Sequence, residues 1–334
     1  MDKAHRLTDK KLEEMEKRLS AIYSASEKKI QSKMLEFAKS IEGRASELLN
    51  AIKQAKTEKE AKKAKNDYIQ YFKKEVVKSK AFKDLSKEIA IDLFSTNTEA
   101  SAFINSKTPE IYALNYNWIN QQLSKDIPDF VAQEITAKEA DEYGELTKQT
   151  VSKPKDTKWN ENNIKKSVVV GATLLLGANA IMKRSARVTV EKNRSSESMH
   201  SQGMGTDAET KARIDGMFYA EYLGSKMSKI WITAGDNRVR HSHAMLDGKE
   251  ISLKSTFDNG CKRPRDPNGT PAEICNCRCS LKHSVEGTKQ GQTRSARKGE
   301  VVGSYKKSSS FKGTKSIEAP NISYKELMKW VKTQ

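Results

Sequence analysis

A long apolar stripe constrains the N-terminal part of the chain more than any other feature. Eight consecutive steps along it span 29 residues, an average spacing of about 3.6, which keeps the stripe on one face of a nearly straight helix. We expect this helix to pack against other helices rather than form a free coiled coil, with Thr8 or Asp9 capping its start. The positions are Leu12, Met15, Leu19, Ile22, Ser26, Ile30, Met34, Phe37 and Ile41.

The composition leaves little apolar material for one large core. Only 36% of the 334 residues are hydrophobic, 31% are charged, and the mean hydropathy is −0.76. This balance favours long helices and tails over a single globule. We therefore predict a mostly α protein with an elongated helical N-terminal region, a small α+β cysteine-containing C-terminal domain and a disordered basic tail.

Further helices are predicted across the N-terminal region. The lysine-rich run at residues 56–65 has almost nothing to bury and indicates an exposed helical stretch or turn. A helix is expected at residues 68–94, and another at 109–125, where Thr108-Pro109 resembles a cap with proline in the first turn. The aromatic residues of that helix are Tyr112, Tyr116 and Trp118. They are expected in the core, with a stacking platform for nucleic-acid bases as the alternative.

A change of pattern at residues 151–156 marks the first predicted domain boundary. A helix then leads into an apolar run at residues 168–182, which is shorter than the roughly 20 residues that a bilayer span needs. We interpret the run as a helix buried in the fold or at a subunit interface. A segment that touches a membrane during genome delivery is the alternative that the residues favour less.

All four cysteines lie in the segment at residues 231–279. With no signal-peptide pattern at the N-terminus, synthesis in a reducing cytoplasm is expected. Strands are predicted at residues 230–232, 249–253 and 280–283, separated by a loop at 258–274, and helices are predicted at 204–224 and 324–332.

The cysteine segment offers ligands for a structural zinc ion. Zinc prefers four thiolate or imidazole ligands in a tetrahedron, and the candidates are His243, Cys261, Cys277 and Cys279. In an extended strand, alternate thiols of the Cys275-x-Cys277-x-Cys279 pattern would lie about 7 Å apart, so one ion needs a tight turn at Asn276 or Arg278. Buried free thiols and later disulfide formation stay open as alternatives.

Two arginines in the same segment have two interpretations. Arg238 and Arg240 share a face if the chain is extended, so their guanidinium groups can bind phosphates through paired hydrogen bonds. They can equally pair with Asp236 and Asp247 and fix the loop.

The order of these residues resembles a known family. The pattern Trp231-x4-Asp236-x-Arg238-Val239-Arg240-x2-His243-x2-Leu246-Asp247-Gly248 is followed by Pro264-x-Asp266-Pro267 and Asn276-Cys277-Arg278-Cys279. It is similar to the C-terminal domain of the Mu F-like head-morphogenesis proteins of tailed phages. Cys275 departs from the family pattern by adding a thiol.

The resemblance implies a minor structural protein of the phage head, which would lie inside the virion and in the host cytoplasm during assembly. Its implied partners are the portal protein, the major capsid or scaffolding protein, and double-stranded DNA, with which it would leave the head. We expect a helical docking region at residues 1–150, a Mu F-like domain at 151–284 and a basic flexible tail at 285–334.

The charge distribution places DNA contact in the tail. The chain carries a formal charge of +18, and residues 281–334 hold 12 basic and four acidic side chains. Such an excess favours a polyanionic partner, although a solubilising tail is the alternative. The predicted DNA contacts are Lys298, Lys306, Lys307, Lys312 and Lys315.

We do not expect an enzyme, because no phosphate-binding glycine loop and no suitably placed acidic pair for a second metal are visible. The alternative is a metal-dependent nuclease or toxin-like enzyme that acts on nucleic acid, with a histidine that activates water.

Overall fold

The computed structural model describes residues 2–286 and 322–334. Helices account for most of them: α1 (Lys3–Gln54), α2 (Glu58–Gln70), a π-helical turn (Tyr71–Val76), α3 (Lys80–Asp126), α4 (Ala137–Tyr143), α5 (Lys153–Thr173), α6 (Ala178–Tyr222), α7 (His241–Ala244), α8 (Pro271–Ile274) and α9 (Tyr324–Val331). The strands are β1 (Met227–Ile232), β2 (Glu250–Ser252) and β3 (Ser280–Val285). The predicted fold class, mostly α with a small α+β region that holds the cysteines, is confirmed.

The chain divides into two compact units that do not follow chain order. Unit 1 comprises the described residues of Met1–Glu13, Asn105–Lys148 and Ser201–Gln334, and unit 2 comprises Glu14–Ile104 and Gln149–His200. The cysteines, the sheet and α9 all belong to unit 1.

Helix α1 confirms the apolar stripe but begins earlier than the sequence predicts. Met15, Leu19 and Ile30 are buried along it, whereas the helix starts at Lys3. The predicted cap at Thr8 or Asp9 is therefore wrong. Thr8 lies buried inside the helix, where its hydroxyl accepts a hydrogen bond of 2.9 Å from Asn115.

Helix α3 runs through the proline that the sequence assigns to a helix start. Pro109 lies inside α3, so the separate helix predicted from residue 109 is wrong. The lost backbone hydrogen bond is offset by packing, because Thr108, Ile111 and Tyr112 on either side are buried. The helix predicted at 68–94 is instead interrupted before α3, where the Ser79 hydroxyl accepts from the backbone N–H of Phe82 at 3.1 Å.

The single buried helix predicted for residues 168–182 is wrong, because the run comprises the end of α5, a short turn and the start of α6, with Val170 and Leu174 exposed. Helix α5 ends at Thr173 and α6 begins at Ala178. A Cβ at Gly171 would lie 3.0 Å from the Ile181 side chain, so glycine permits the close approach of α5 and α6. Val168 and Ile181 are buried. No helix in the described part of the chain combines the length and apolarity that a membrane span requires.

The sheet is antiparallel, with strand order β2-β1-β3 and with Trp231 of β1 opposite Leu281 of β3. All three strands overlap the predicted ones. The loop predicted at 258–274 contains the short helix α8, and the predicted helix at 204–224 is the end of the much longer α6.

Candidate metal centre

A tight turn brings two of the cysteines to one point. Asn276 adopts a left-handed backbone conformation with φ of 54°, which asparagine tolerates better than most residues. The Cys277 N–H donates to the Ile274 carbonyl at 3.4 Å and closes this turn. The turn lies at one of the two positions where the zinc hypothesis requires it.

His243 meets the two thiols from the short helix α7. Its Nδ1 lies 3.6 Å from Sγ of Cys277 and 3.4 Å from Sγ of Cys279. We call these three buried residues the His/Cys cluster; their candidate ligand atoms all lie within 4.8 Å of one another. Around a tetrahedral zinc ion, a nitrogen and a sulfur ligand are about 3.6 Å apart, so the spacing fits zinc.

The structure gathers the predicted ligand set only in part. Cys261 is buried but lies outside the His/Cys cluster, and Cys275 is exposed. Burial and the nearby carboxylates of Asp266 and Glu273 raise the pKa of Cys261 to about 11, which favours its neutral thiol. The fourth position of a tetrahedral ion therefore has no ligand assigned among the described residues.

Sequence reasoning missed Glu273, which supports His243 from the far side. Its Oε2 lies 3.0 Å from Nε2 of His243, a close contact that is not aligned as a hydrogen bond. Ser242 and Asn259 donate to the same carboxylate and hold it in place. A carboxylate behind a ligating histidine fixes the ring orientation at many zinc sites. Only the fold brings Glu273 to His243, so residue spacing gave no signal for it.

The pKa values of the two cluster thiols shift in opposite directions. A hydrogen bond from the Cys279 thiol lowers the pKa of Cys277, and the contact with His243 lowers it further. The same hydrogen bond, together with burial, raises the pKa of Cys279. A cation in the cluster would replace the proton of that hydrogen bond, since zinc binds thiolates.

Aromatic side chains cover the cluster. The Trp231 ring lies edge-on to His243 at 5.1 Å and to Phe257 at 5.0 Å between ring centres. Trp231 and His243 are almost fully buried. The cluster thus forms part of the core of unit 1, as a structural metal site would.

The arginines of the same segment are largely engaged with the loop. Arg240 donates to the carbonyl of Glu273 at 3.0 Å and to that of Cys275. Asp236 accepts from Arg278 at 2.7 Å, and this hydrogen bond lowers the pKa of Asp236 to about 2. Arg238 is exposed, and its Nε lies 3.9 Å from Oδ2 of Asp236. Arg240 therefore fixes the loop through backbone carbonyls, not through the pairing with Asp236 or Asp247 that the sequence suggests.

The five lysines predicted to contact DNA lie outside the described residues. These are Lys298, Lys306, Lys307, Lys312 and Lys315.

Comparison with known proteins identifies the class to which this region belongs. Residues 161–282 match the family model described as Phage Mu protein F like protein. The match includes the whole His/Cys cluster, and it confirms the resemblance to the phage head-morphogenesis family. The chain carries a Mu F-like region at residues 161–282.

Two curated proteins share part of the sequence. The minor head protein GP7 of Bacillus phage SPP1 is 34% identical over 76 residues, which is 21% of this chain and 25% of that protein. The NAD(+)--arginine ADP-ribosyltransferase EFV of Enterococcus faecalis (strain ATCC 700802 / V583) is 35% identical over 71 residues, 20% of this chain and 14% of that protein. The chain therefore spans a quarter or less of the length of these relatives. No solved structure matches the chain.

Proposed function

We propose that this chain is a minor structural protein of a tailed-phage head that acts in head assembly near the portal. The observation that carries the proposal is the Mu F-like match over residues 161–282, together with the partial match to a minor head protein. The portal protein and the major capsid or scaffolding protein are the proposed partners, and departure with the DNA is part of the proposal.

The His/Cys cluster has a structural role in this proposal. Zinc held by His243, Cys277 and Cys279 would join α7 to the start of β3 and supply folding energy to unit 1. Burial argues against chemistry at this point, because a substrate has no access to cysteine residues that are 3% exposed or less. We therefore propose that the chain is not an enzyme.

We also propose that the basic tail touches packaged DNA without sequence preference. Lysines that neutralise phosphates release counterions, so affinity should fall steeply with salt. Deleting the whole tail would be a poor test of this contact, because it would also remove α9, which is packed in unit 1. Leu327 of α9 is buried, and the hydroxyl of Tyr324 donates to that of Tyr112 at 2.9 Å.

Neutralising the tail lysines should weaken duplex DNA binding and leave the strands intact. The logarithm of the binding constant decreases linearly with the logarithm of the salt concentration, and we call the magnitude of this gradient the salt slope. We expect the salt slope to fall by about 0.9 for each lysine that contacts a phosphate, measured by fluorescence anisotropy at several salt concentrations. The variant carries Lys298→Gln, Lys306→Gln, Lys307→Gln, Lys312→Gln and Lys315→Gln. An unchanged slope would contradict tail contact. Metal-dependent strand nicking that His243→Ala abolishes would contradict the structural role and favour the nuclease alternative.

A further inference from the structure

A second basic surface lies in unit 2, far from the tail in sequence. Residues 53–87, which we call the lysine segment, cover the end of α1, helix α2, the π-helical turn and the start of α3. The segment holds twelve lysines and five carboxylates, a net charge of +7. Its lysines are Lys53, Lys56, Lys59, Lys62, Lys63, Lys65, Lys73, Lys74, Lys78, Lys80, Lys83 and Lys87.

All twelve of these side chains are exposed. Within the described residues, none of their ammonium groups forms an ion pair with a carboxylate, although other basic residues of unit 2 do. Lys29 and Lys33 both form ion pairs with Asp92, and Arg194 forms an ion pair with Glu16. The lysine segment therefore presents charge that no carboxylate among the described residues neutralises by direct contact.

Helical spacing aligns subsets of these lysines. Lys59, Lys62 and Lys63 follow the i, i+3, i+4 pattern along α2, and Lys80, Lys83 and Lys87 follow i, i+3, i+7 along α3. Each subset thus forms a row along one helix face. A row of ammonium groups suits a partner whose negative charges repeat at short intervals, as the phosphates of duplex DNA do.

The segment is also anchored, so its lysines project from a folded surface. Tyr68, Phe72 and Phe82 are fully buried, and the Phe82 ring lies 5.4 Å from that of Phe37 in α1. The hydroxyl of Thr57 caps α2 by accepting from the N–H of Glu60 at 3.2 Å.

The geometry points to the lysine segment as a binding surface for the phosphate backbone of duplex DNA, without sequence readout. A lipid surface fits less well, because peripheral membrane segments add apolar side chains to their basic ones. No large exposed hydrophobic residue lies between residues 53 and 87. The inference extends the proposed DNA contact from the tail to unit 2, and it rests on that proposed function.

Neutralising the aligned lysines should weaken DNA binding by about tenfold or more at low salt and should lower the salt slope by about 0.9 per contacting lysine. The test variant carries Lys59→Gln, Lys62→Gln, Lys63→Gln, Lys80→Gln, Lys83→Gln and Lys87→Gln in the full chain. Its matched control removes the same charge from exposed, unpaired positions among the described residues: Lys10→Gln, Lys17→Gln, Lys28→Gln, Lys138→Gln, Lys155→Gln and Lys158→Gln. Far-ultraviolet circular dichroism should show equal helix content in both variants.

The outcomes separate this inference from the proposed function. If the test variant binds duplex DNA as tightly as the control variant does, the lysine segment is not a DNA-binding surface. If neutralising the tail alone abolishes binding, the inference also fails while the proposed tail contact stands. Wild-type chain that fails to bind DNA would overturn both contacts. Binding to vesicles of phosphatidylglycerol, without binding to DNA, would show that the surface recognises lipid and would contradict the inference.

Discussion

Replacing Arg213 with methionine is expected to lower the free energy of unfolding by about 3–5 kcal/mol, because it leaves a buried carboxylate without its main countercharge. Arg213 is fully buried in unit 1, and its guanidinium contacts Asp2 at 2.6 Å and Glu209 at 3.2 Å. It also donates to the Leu281 carbonyl at 2.8 Å. Chemical denaturation followed by circular dichroism measures the change.

Arg213 belongs to a buried ion network, which we define as Asp2, His5, Glu209 and Arg213. The charges of these four residues depend on one another. Burial alone would raise the pKa of Glu209, but Arg213 and the hydrogen bond from His5 outweigh it and hold that pKa below its ordinary value. Glu209 is completely buried and also accepts from Ser280 at 2.5 Å.

A double variant distinguishes charge from packing. Arg213→Met combined with Glu209→Gln removes both charges, so part of the lost stability should return. Arg238→Met is the matched control: Arg238 is exposed, and its substitution should change stability by no more than about 0.5 kcal/mol. If Arg213→Met is as stable as this control, the ion network does not stabilise the fold.

The network also implies a pH window. Burial tends to lower the pKa of His5, but Glu209 outweighs burial and raises it, so its contribution is complete below 6.5 and is lost as the pH rises through the folded value. Glu209 has a lowered pKa, so its contribution is complete above 4.5 and is lost as the pH falls through the folded value. Both contributions are therefore complete together between pH 4.5 and 6.5.

Cys277→Ser should remove bound metal from the chain and destabilise unit 1. Protein purified without chelator should contain about one zinc ion per chain, and the variant should contain close to none, because serine is a far poorer zinc ligand than thiolate. Elemental analysis gives the stoichiometry. Cobalt substitution adds a second readout, since thiolate–cobalt bonds produce charge-transfer absorption.

Two other cysteines provide controls for the metal prediction. Cys275→Ser alters an exposed thiol outside the His/Cys cluster and should leave the stoichiometry unchanged. Cys261→Ser tests the remaining ligand of the predicted set, and metal loss in that variant would add Cys261 to the site. Wild-type protein free of zinc and other transition metals would contradict the metal centre and leave the thiols as buried apolar groups.

Elements with strong local periodicity could be predicted from the sequence. The stripe through Leu19 and Ile30 predicted α1, and β-branched and aromatic residues predicted the strand around Trp231. The resemblance to Mu F-like proteins could be predicted from the order of residues in the cysteine segment, and the family match over residues 161–282 confirms it.

Elements that depend on distant packing could not be predicted. Thr108-Pro109 has the local form of a helix start, yet burial of Ile111 and Tyr112 keeps α3 continuous. Thr8 resembles a cap but lies inside α1, where Asn115 satisfies its hydroxyl.

The candidate site was predictable to a similar extent. The ligand types and the need for a turn near Asn276 followed from residue chemistry. The positions of Cys261 outside the His/Cys cluster and of Glu273 behind His243 did not, because both depend on how the loop before β3 folds.

Quantitative mass spectrometry of purified particles would show whether the chain is a structural component of a phage head. Particles should be produced from the genome that encodes the chain and separated into DNA-free proheads and filled heads. We predict the chain in both fractions, at a low and constant ratio to the major capsid protein. Absence from both fractions, in cells that express the chain, would show that the chain is not a structural component of the head.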